Sequence, residues 1–136
     1  KMRRLGAEFG SVTGRPRRCG WIDLVALRYA IMIDGVTRLI MMKSDVLDSF
    51  PVIKACVAYN MNGKEITDFP FEDDQAIEPV YKELPGWQTG MSKMRKEDEF
   101  PEEFRNYINF LEQNLGVPIS IVSLGPDREQ TIIRNK

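Results

Sequence analysis

Residues 101–123 read PEEFRNYINFLEQNLGVPISIVS, and this stretch decides the class of fold. Pro101 is favoured at the first position of a helix, and Gly116 can adopt the left-handed conformation that ends one. Between them, apolar side chains keep the three-and-four spacing of one buried helix face: Phe104, Tyr107, Ile108, Leu111 and Leu115. Pro118 prevents continuation, and residues 119–122 have the length and composition of a buried strand.

The same order of helix and strand occurs upstream. Asp23 is a favoured N-cap, and it predicts a helix from Leu24 to about residue 33 that ends at Gly35. Residues 37–42 then form a nearly continuous apolar run. Such a run predicts a strand that is buried on both faces, as in parallel sheets.

The middle of the chain carries the signals of a β-hairpin. Residues 53–59 have the composition of a strand, and Asn62-Gly63 is the strongest two-residue hairpin signal in the chain. Residues 65–69 are the predicted returning strand. Residues 78–84 are predicted to be extended, because Pro85-Gly86 follows them as a stop.

Two further segments complete the expected fold. Residues 90–99 are polar and charged, which predicts a surface connection, and residues 131–134 predict a last short strand. We therefore expect an α/β fold of mixed α+β character, with a mixed sheet, one hairpin and at least two helices. A chain of 136 residues fits one domain, spanning residues 1–136.

The composition narrows the classes of function. The net charge is −1, so no nucleic-acid partner is expected, and no apolar run approaches the ~20 residues that span a membrane. The cysteines Cys19 and Cys56 lack metal-ligand spacing, and we expect two reduced thiols in a cytoplasmic protein. The chain has no histidine, the commonest general acid–base residue. Because it begins with Lys1, we expect a fragment of a longer protein.

The first polar segment is an arginine-rich loop over residues 11–18. Its guanidinium groups are rigid forks suited to carboxylates or phosphates, while Gly14 permits close backbone approach and Pro16 stiffens the chain. A solvated basic loop is an equal alternative. The string Gly-Arg-Pro-Arg also resembles an A·T-hook, but here it occurs once, beside Trp21 and a helix, in a chain of net charge −1. Glu8 alone opposes the basic residues of this region: Lys1, Arg3, Arg4, Arg15, Arg17 and Arg18.

The other two polar segments follow predicted buried strands, where ligands gather in open α/β sheets. In Lys43-Ser44-Asp45, the carboxylate can accept from the N1–H and amino group of guanine, while the lysine stem covers the base plane. In the turn that starts Ser123-Leu124-Gly125, backbone N–H groups can meet a base carbonyl. Taken singly, each segment is better explained by structure alone, the first as an exposed end of a strand and the second as a plain strand-ending turn.

Together these segments resemble the carboxy-terminal region of the adenylosuccinate synthetase family. Residues 13–23 are similar to the long signature of that family, and residues 43–48 are similar to its guanine-recognition segment. Residues 78–81, 84–87, 116–119 and 123–128 follow in the same order. The resemblance covers essentially the whole chain, as roughly the last third of a larger P-loop-NTPase-like α/β enzyme.

The resemblance implies a GTP-dependent ligase that joins IMP and L-aspartate to form adenylosuccinate in AMP biosynthesis. It implies an aspartate- and IMP-binding loop consisting of Ser11, Val12, Thr13, Gly14, Arg15, Pro16 and Arg17. Arg15 would contact IMP, and Arg17 would also reach GTP. The remaining implied GTP-binding residues are Lys43, Ser44, Asp45, Ser123, Leu124 and Gly125, with Ser44 and Leu124 acting mainly through the backbone.

The resemblance also implies which functions lie outside this chain. In the family, the phosphate-cradling loop, the catalytic residues and the Mg²⁺ ligands belong to the amino-terminal portion, and no Gly-x4-Gly-Lys loop occurs here. We therefore expect no catalytic or metal-binding residue in this chain, no turnover by it alone, and a homodimeric intact enzyme. The alternative interpretation is a non-catalytic module that binds a nucleotide or polyanion through residues 15–18.

Overall fold

The computed structural model describes residues 1–71 and 76–134. Over these residues the chain has three α-helices and seven strands, which confirms an α/β fold of mixed character. The helices are α1 (Met2–Leu5), α2 (Leu24–Asp34) and α3 (Glu102–Leu115). The strands are β1 (Ile22–Asp23), β2 (Leu39–Met41), β3 (Val52–Met61), β4 (Lys64–Ile66), β5 (Ile77–Pro85), β6 (Ile119–Ser123) and β7 (Thr131–Ile133). Short 3₁₀ turns cover Ser44–Leu47, Glu97–Glu99 and Arg128–Gln130.

The strands form two mixed sheets. In the first, β3 is central: β5 pairs antiparallel along its length, while β1 pairs parallel and β4 antiparallel with successive parts of it. In the second, β6 lies between β2, which is parallel to it, and β7, which is antiparallel. The predicted mixed pairing is therefore confirmed, but it is divided over two sheets.

Helix α2 has the caps that the sequence predicts. Asp23 Oδ1 accepts hydrogen bonds from the backbone amides of Val25 and Ala26 at 3.0 and 3.1 Å. At the other end, Gly35 has φ 62° and closes the last turn. Since side-chain caps satisfy amides that a helix leaves unpaired, these residues fix where α2 begins and ends.

Helix α3 supplies one wall of the main core. Its five predicted apolar positions are all buried, and Gly116 ends it with φ 71°. Pro101 is the N-cap, one position before the predicted one, because its ψ of 150° is extended. The ring of Phe104 meets that of Trp87 edge to face, with centroids 4.7 Å apart. Aromatic pairs of this geometry join α3 to the chain that leaves β5.

The hairpin forms at the predicted dipeptide. Asn62 and Gly63 both have positive φ, at 54° and 79°, as a tight two-residue turn requires. The returning strand β4 is shorter than the predicted residues 65–69. Beyond it, the Thr67 carbonyl accepts a hydrogen bond from Arg28 Nη2, and Phe69 stacks on the Tyr29 ring. These contacts with α2 draw the chain away from the sheet.

Two expectations about burial are not met within the described residues. Strand β2 pairs there with β6 along one edge, and the side chain of Ile40 is 60% exposed. Met42, just beyond the strand, is 71% exposed. Residues 90–99 do not form a simple surface connection either. Met91 is fully buried in the core, because its backbone amide donates to Asp48 Oδ2 at 3.0 Å and draws the chain inward.

Candidate functional site

Two of the predicted site segments follow neighbouring parallel strands. Met41 of β2 pairs with Val122 of β6, so both strands end at the same edge of the second sheet. Lys43-Ser44-Asp45 follows the first strand, and Ser123-Leu124-Gly125 begins at the end of the second. The fold therefore brings together two segments that are almost 80 residues apart in the sequence.

The segment after β2 contains buried polar atoms. Lys43 has φ 58°, and this turn of the backbone starts the 3₁₀ turn Ser44–Leu47. Ser44 Oγ and Asp45 Oδ1 are both buried, and neither has a hydrogen-bond partner within the residues that the structure describes. A buried carboxylate oxygen without a donor is costly, so Asp45 Oδ1 needs a hydrogen-bond donor that the described residues do not supply.

A second carboxylate anchors the same 3₁₀ turn to the core. Asp48 Oδ1 accepts from Trp87 Nε1 at 2.7 Å, and Asp48 Oδ2 accepts from the Met91 amide at 3.0 Å. Burial raises the pKa of the Asp48 carboxyl, although these two hydrogen bonds oppose the shift. Asp48 thus holds the backbone that carries Asp45 in a fixed place.

The turn after β6 is closed by Gln130. The Leu124 amide donates to the Gln130 carbonyl at 2.9 Å, and Ser123 Oγ donates to the Gly125 carbonyl at 3.0 Å. A Cβ atom at Gly125 would lie 2.2 Å from Gln130 Oε1, so a larger residue there would displace the Gln130 side chain. Besides its backbone, Leu124 contributes a fully buried side chain to the core.

The arginine-rich segment forms a narrow, exposed, hairpin-like loop between α1 and β1. Backbone hydrogen bonds close it from Gly10 N to Arg15 O at 2.8 Å and from Arg17 N to Glu8 O at 3.1 Å. Gly14, with φ 64°, turns the chain at the tip, where Val12 is 94% exposed. Within the described residues, no hydrogen bond or ion pair joins residues 11–16 to either strand-end turn.

Glu8 links this loop to the segment after β2. Glu8 Oε2 accepts from Arg17 Nη1 at 3.0 Å, and Glu8 Oε1 forms an ion pair with Lys43 Nζ. Lys43 Nζ also donates to the Gly6 carbonyl at 2.8 Å. Hydrogen bonds from Lys43 and then Arg17 lower the pKa of the Glu8 carboxyl. Glu8 was not among the predicted site residues, although its isolation among six basic residues was a visible signal.

Two cavities flank these groups. One, of about 380 Å³, lies beside the ion pairs and is lined by Met2, Gly6, Glu8, Arg17, Arg18, Cys19, Gly20, Lys43, Val46 and Leu47. The other, of about 310 Å³, is mainly apolar and extends from Lys43 and Ser44 under β2 toward Trp87 and α3. The cationic side chains of Lys43 and Arg17 thus border a space large enough for part of a small anionic ligand.

Among residues 1–71 and 76–134, no three histidine, cysteine or acidic side chains lie close enough together to hold a metal ion. Within the same residues, no helix has the length and apolar character to cross a membrane. Both cysteines are free thiols, with Cys19 exposed and Cys56 buried.

Comparison with known proteins identifies similar chains. The family model described as adenylosuccinate synthetase matches residues 1–132. The chain is 72% identical over 134 residues to the adenylosuccinate synthetase of Parabacteroides distasonis, covering 98% of this chain and 32% of that protein. It is 72% identical over 130 residues to that of Bacteroides fragilis, covering 96% of this chain and 31% of the relative.

A solved structure shares the fold. The structure of a fully ligated adenylosuccinate synthetase from Plasmodium falciparum superposes with a TM-score of 0.92 at 33% sequence identity. The match covers 98% of this chain and 33% of the other. The chain therefore spans about a third of the length of the relatives that it matches.

Proposed function

Because this chain belongs to the adenylosuccinate synthetase family, we propose that it is the carboxy-terminal part of such a ligase and recognises guanine and substrates. The intact enzyme would use GTP to join IMP and L-aspartate into adenylosuccinate, with GDP and phosphate as the other products. The match over 98% of the chain to only about 32% of its relatives supports a part of the enzyme rather than a whole one.

One observation carries the assignment of the guanine site. Asp45 Oδ1 is a buried carboxylate oxygen without a hydrogen-bond partner in the described chain, at the carboxyl end of a parallel strand. The N1–H and amino groups of guanine are two adjacent donors that would satisfy a carboxylate in this position. Adenine offers no N1–H, so the same oxygen would discriminate against ATP.

The other proposed GTP contacts lie at the same edge of the sheet. Lys43 would lay its stem over the base, and Arg17 would approach the nucleotide from the opposite loop. Ser44, Ser123, Leu124 and Gly125 would complete the base pocket, mainly through backbone groups. The adjacent ends of β2 and β6 support this composite pocket, because they bring the two segments to one edge.

The substrate site would be the exposed loop. Thr13 and Gly14 would lie near the carboxylates of aspartate, with Ser11, Val12 and Pro16 shaping the loop. Arg15 would contact IMP and aspartate through its guanidinium group. The narrow hairpin shape of residues 8–17 supports this role, since it presents the side chains and amides of its tip to a ligand.

The chemistry itself would be supplied by residues outside this chain. We assign the phosphate- and metal-binding residues to the rest of the enzyme, because the chain covers only 32% of the relative that it matches at 72% identity. The intact protein would be a cytoplasmic homodimer. We expect the purified 136-residue chain to show no turnover with GTP, IMP, aspartate and Mg²⁺. Formation of adenylosuccinate by this chain would contradict that assignment.

An equilibrium titration distinguishes this proposal from a general polyanion-binding module. We expect GTP to bind more tightly than ATP, since the two differ in the base that Asp45 would read. The alternative rests on the exposed guanidinium groups of Arg15 and Arg18. It instead predicts equal binding of the two nucleotides, and binding of duplex DNA that weakens steeply with salt.

A further inference from the structure

We propose that Glu8 is a positioning residue that couples the substrate loop, residues 11–17, to the guanine segment, residues 43–45. The inference rests on the proposed function, which assigns ligands to these two segments. Within the described residues no hydrogen bond or ion pair joins the two segments directly, and the Glu8 carboxylate binds one cation from each. The coupling would make occupation of one site raise the affinity of the other.

The backbone of Glu8 is well fixed. Its amide donates to the Arg3 carbonyl at 2.9 Å, and its carbonyl accepts from the Arg17 amide at 3.1 Å. Arg3 Nε also donates to the Arg17 carbonyl at 2.6 Å. The backbone of Glu8 therefore moves together with the base of the substrate loop, and any displacement of that base displaces the carboxylate.

Lys43 depends on this same stretch of chain for its position. Both acceptors of its ammonium group, the Glu8 carboxylate and the Gly6 carbonyl, lie more than 30 residues away in the sequence. Its own segment provides no acceptor for it. A change at residues 6–8 therefore alters where the lysine stem lies, and this stem is the part that would cover the guanine base.

The reason to expect coupling lies in the freedom of the two cations. The side chains of Arg17 and Lys43 are more than half exposed, while that of Glu8 is mostly covered. An exposed ion pair alone adds little stability, because long side chains lose entropy when they are held. A ligand that holds the Arg17 side chain also holds the Glu8 carboxylate, and through it the Lys43 side chain. A second ligand then binds with a smaller loss of side-chain conformational entropy.

The test measures this coupling directly in the intact enzyme proposed above. The affinity for GDP is titrated with IMP present, first without and then with saturating L-aspartate. We expect aspartate to tighten GDP binding by at least about 5-fold in the unsubstituted enzyme. The coupling ratio is the Kd for GDP without aspartate divided by the Kd with aspartate. In Glu8→Gln, which keeps the size of the side chain but loses the shared charge, this ratio should approach one.

A matched control removes a carboxylate of the same kind elsewhere. Glu83 pairs with Lys54 at 2.6 Å on the β3–β5 surface, and Glu83→Gln should leave the ratio at the unsubstituted value. A simple loss of stability would weaken both ligands without changing the ratio. In steady state, Glu8→Gln should raise the KM for aspartate at low GTP more than it lowers kcat.

The outcomes separate this inference from the function on which it rests. Guanine preference with an unchanged coupling ratio in Glu8→Gln overturns the role of Glu8 and leaves the proposed function standing. Absence of guanine preference in the unsubstituted enzyme overturns both. A second variant, Glu8→Ala, removes both acceptor atoms and should lose the coupling to the same extent. Coupling that persists in Glu8→Ala would also contradict the inference.

Discussion

Trp87 Nε1 donates a 2.7 Å hydrogen bond to Asp48 Oδ1, and this contact joins the turn that follows β2 to the hydrophobic core. The indole ring packs against Phe104 and Tyr107 of α3, so its position is set by the helix. Asp48 closes the 3₁₀ turn that starts at Ser44, because its amide donates to the Asp45 carbonyl at 3.1 Å. The core thereby determines where the Asp45 carboxylate lies.

Replacing Trp87 by phenylalanine is expected to destabilise the protein by about 1–3 kcal/mol, because a partly buried carboxylate loses one of its donors. Chemical denaturation measures this loss. Trp21→Phe is a suitable control, since Trp21 is only half-buried and meets Phe50 edge to face. A larger loss in the control than in Trp87→Phe would argue against the anchoring role of Asp48.

Arg134 joins α3 to the second sheet through a buried ion-pair network. Its guanidinium group, with the side chain 3% exposed, lies 2.7 Å from carboxylate oxygens of both Glu97 and Glu112. It also donates to the Ile119 carbonyl at 2.7 Å. The network thus gives the buried guanidinium group two carboxylates and one carbonyl as acceptors.

Arg134→Met should cost about 3 kcal/mol of unfolding free energy, since it leaves buried acceptors without their cation. The measurement is urea denaturation at neutral pH. The control is Arg105→Met on the exposed face of α3, which should change stability by less than about 0.5 kcal/mol. Similar effects of the two substitutions would mean that the Arg134 network adds nothing to stability.

Gly125→Ala should disturb the turn after β6. The new Cβ would stand 2.2 Å from Gln130 Oε1, so this side chain would have to leave. The Gln130 side chain would then lose its hydrogen bonds to the Asp127 amide and the Ser92 carbonyl, each 3.0 Å long. We expect a loss of about 1–2 kcal/mol by thermal or urea denaturation. Gly90→Ala, where a Cβ meets no atom within 4 Å, should be nearly neutral.

The Glu8 ion pairs predict how one part of the stability depends on pH. Lys43 and Arg17 hold the pKa of the Glu8 carboxyl below its ordinary value of 4.5. The stabilisation is therefore fully present above pH 4.5 and is lost as the pH falls through the lowered pKa. The free energies of unfolding of the unsubstituted protein and of Glu8→Gln should differ more at pH 7 than at pH 3. An equal difference at both pH values would contradict the ion pairing.

Local patterns in the sequence predict much of this fold. The spacing of apolar residues in α3 predicts all five buried positions, because a single amphipathic helix encodes its own face. The caps Asp23 and Gly35 act over a few residues, and so does the turn at Asn62-Gly63. These features need no information about the rest of the chain.

The incorrect or missing predictions depend on long-range contacts. The apolar run that contains β2 does not reveal which elements cover each face of the strand, so it does not predict the exposure of Ile40 in the described residues. Met91 lies in a polar segment and is buried because Asp48, 43 residues away, binds its amide. The contact between Glu8 and Lys43 spans 35 residues and has no periodic signature.

The most direct test of the proposed guanine site is Asp45→Asn in the intact enzyme, with GTP, ITP and ATP as competing nucleotides. We predict that GTP binding weakens by about 2–4 kcal/mol, or about 30- to 1000-fold, while ITP and ATP change less, so that discrimination among purines relaxes. Asp34→Asn, on the exposed end of α2, should leave all three affinities unchanged. An undiminished preference for GTP in Asp45→Asn would contradict the assignment of Asp45 as the residue that reads guanine.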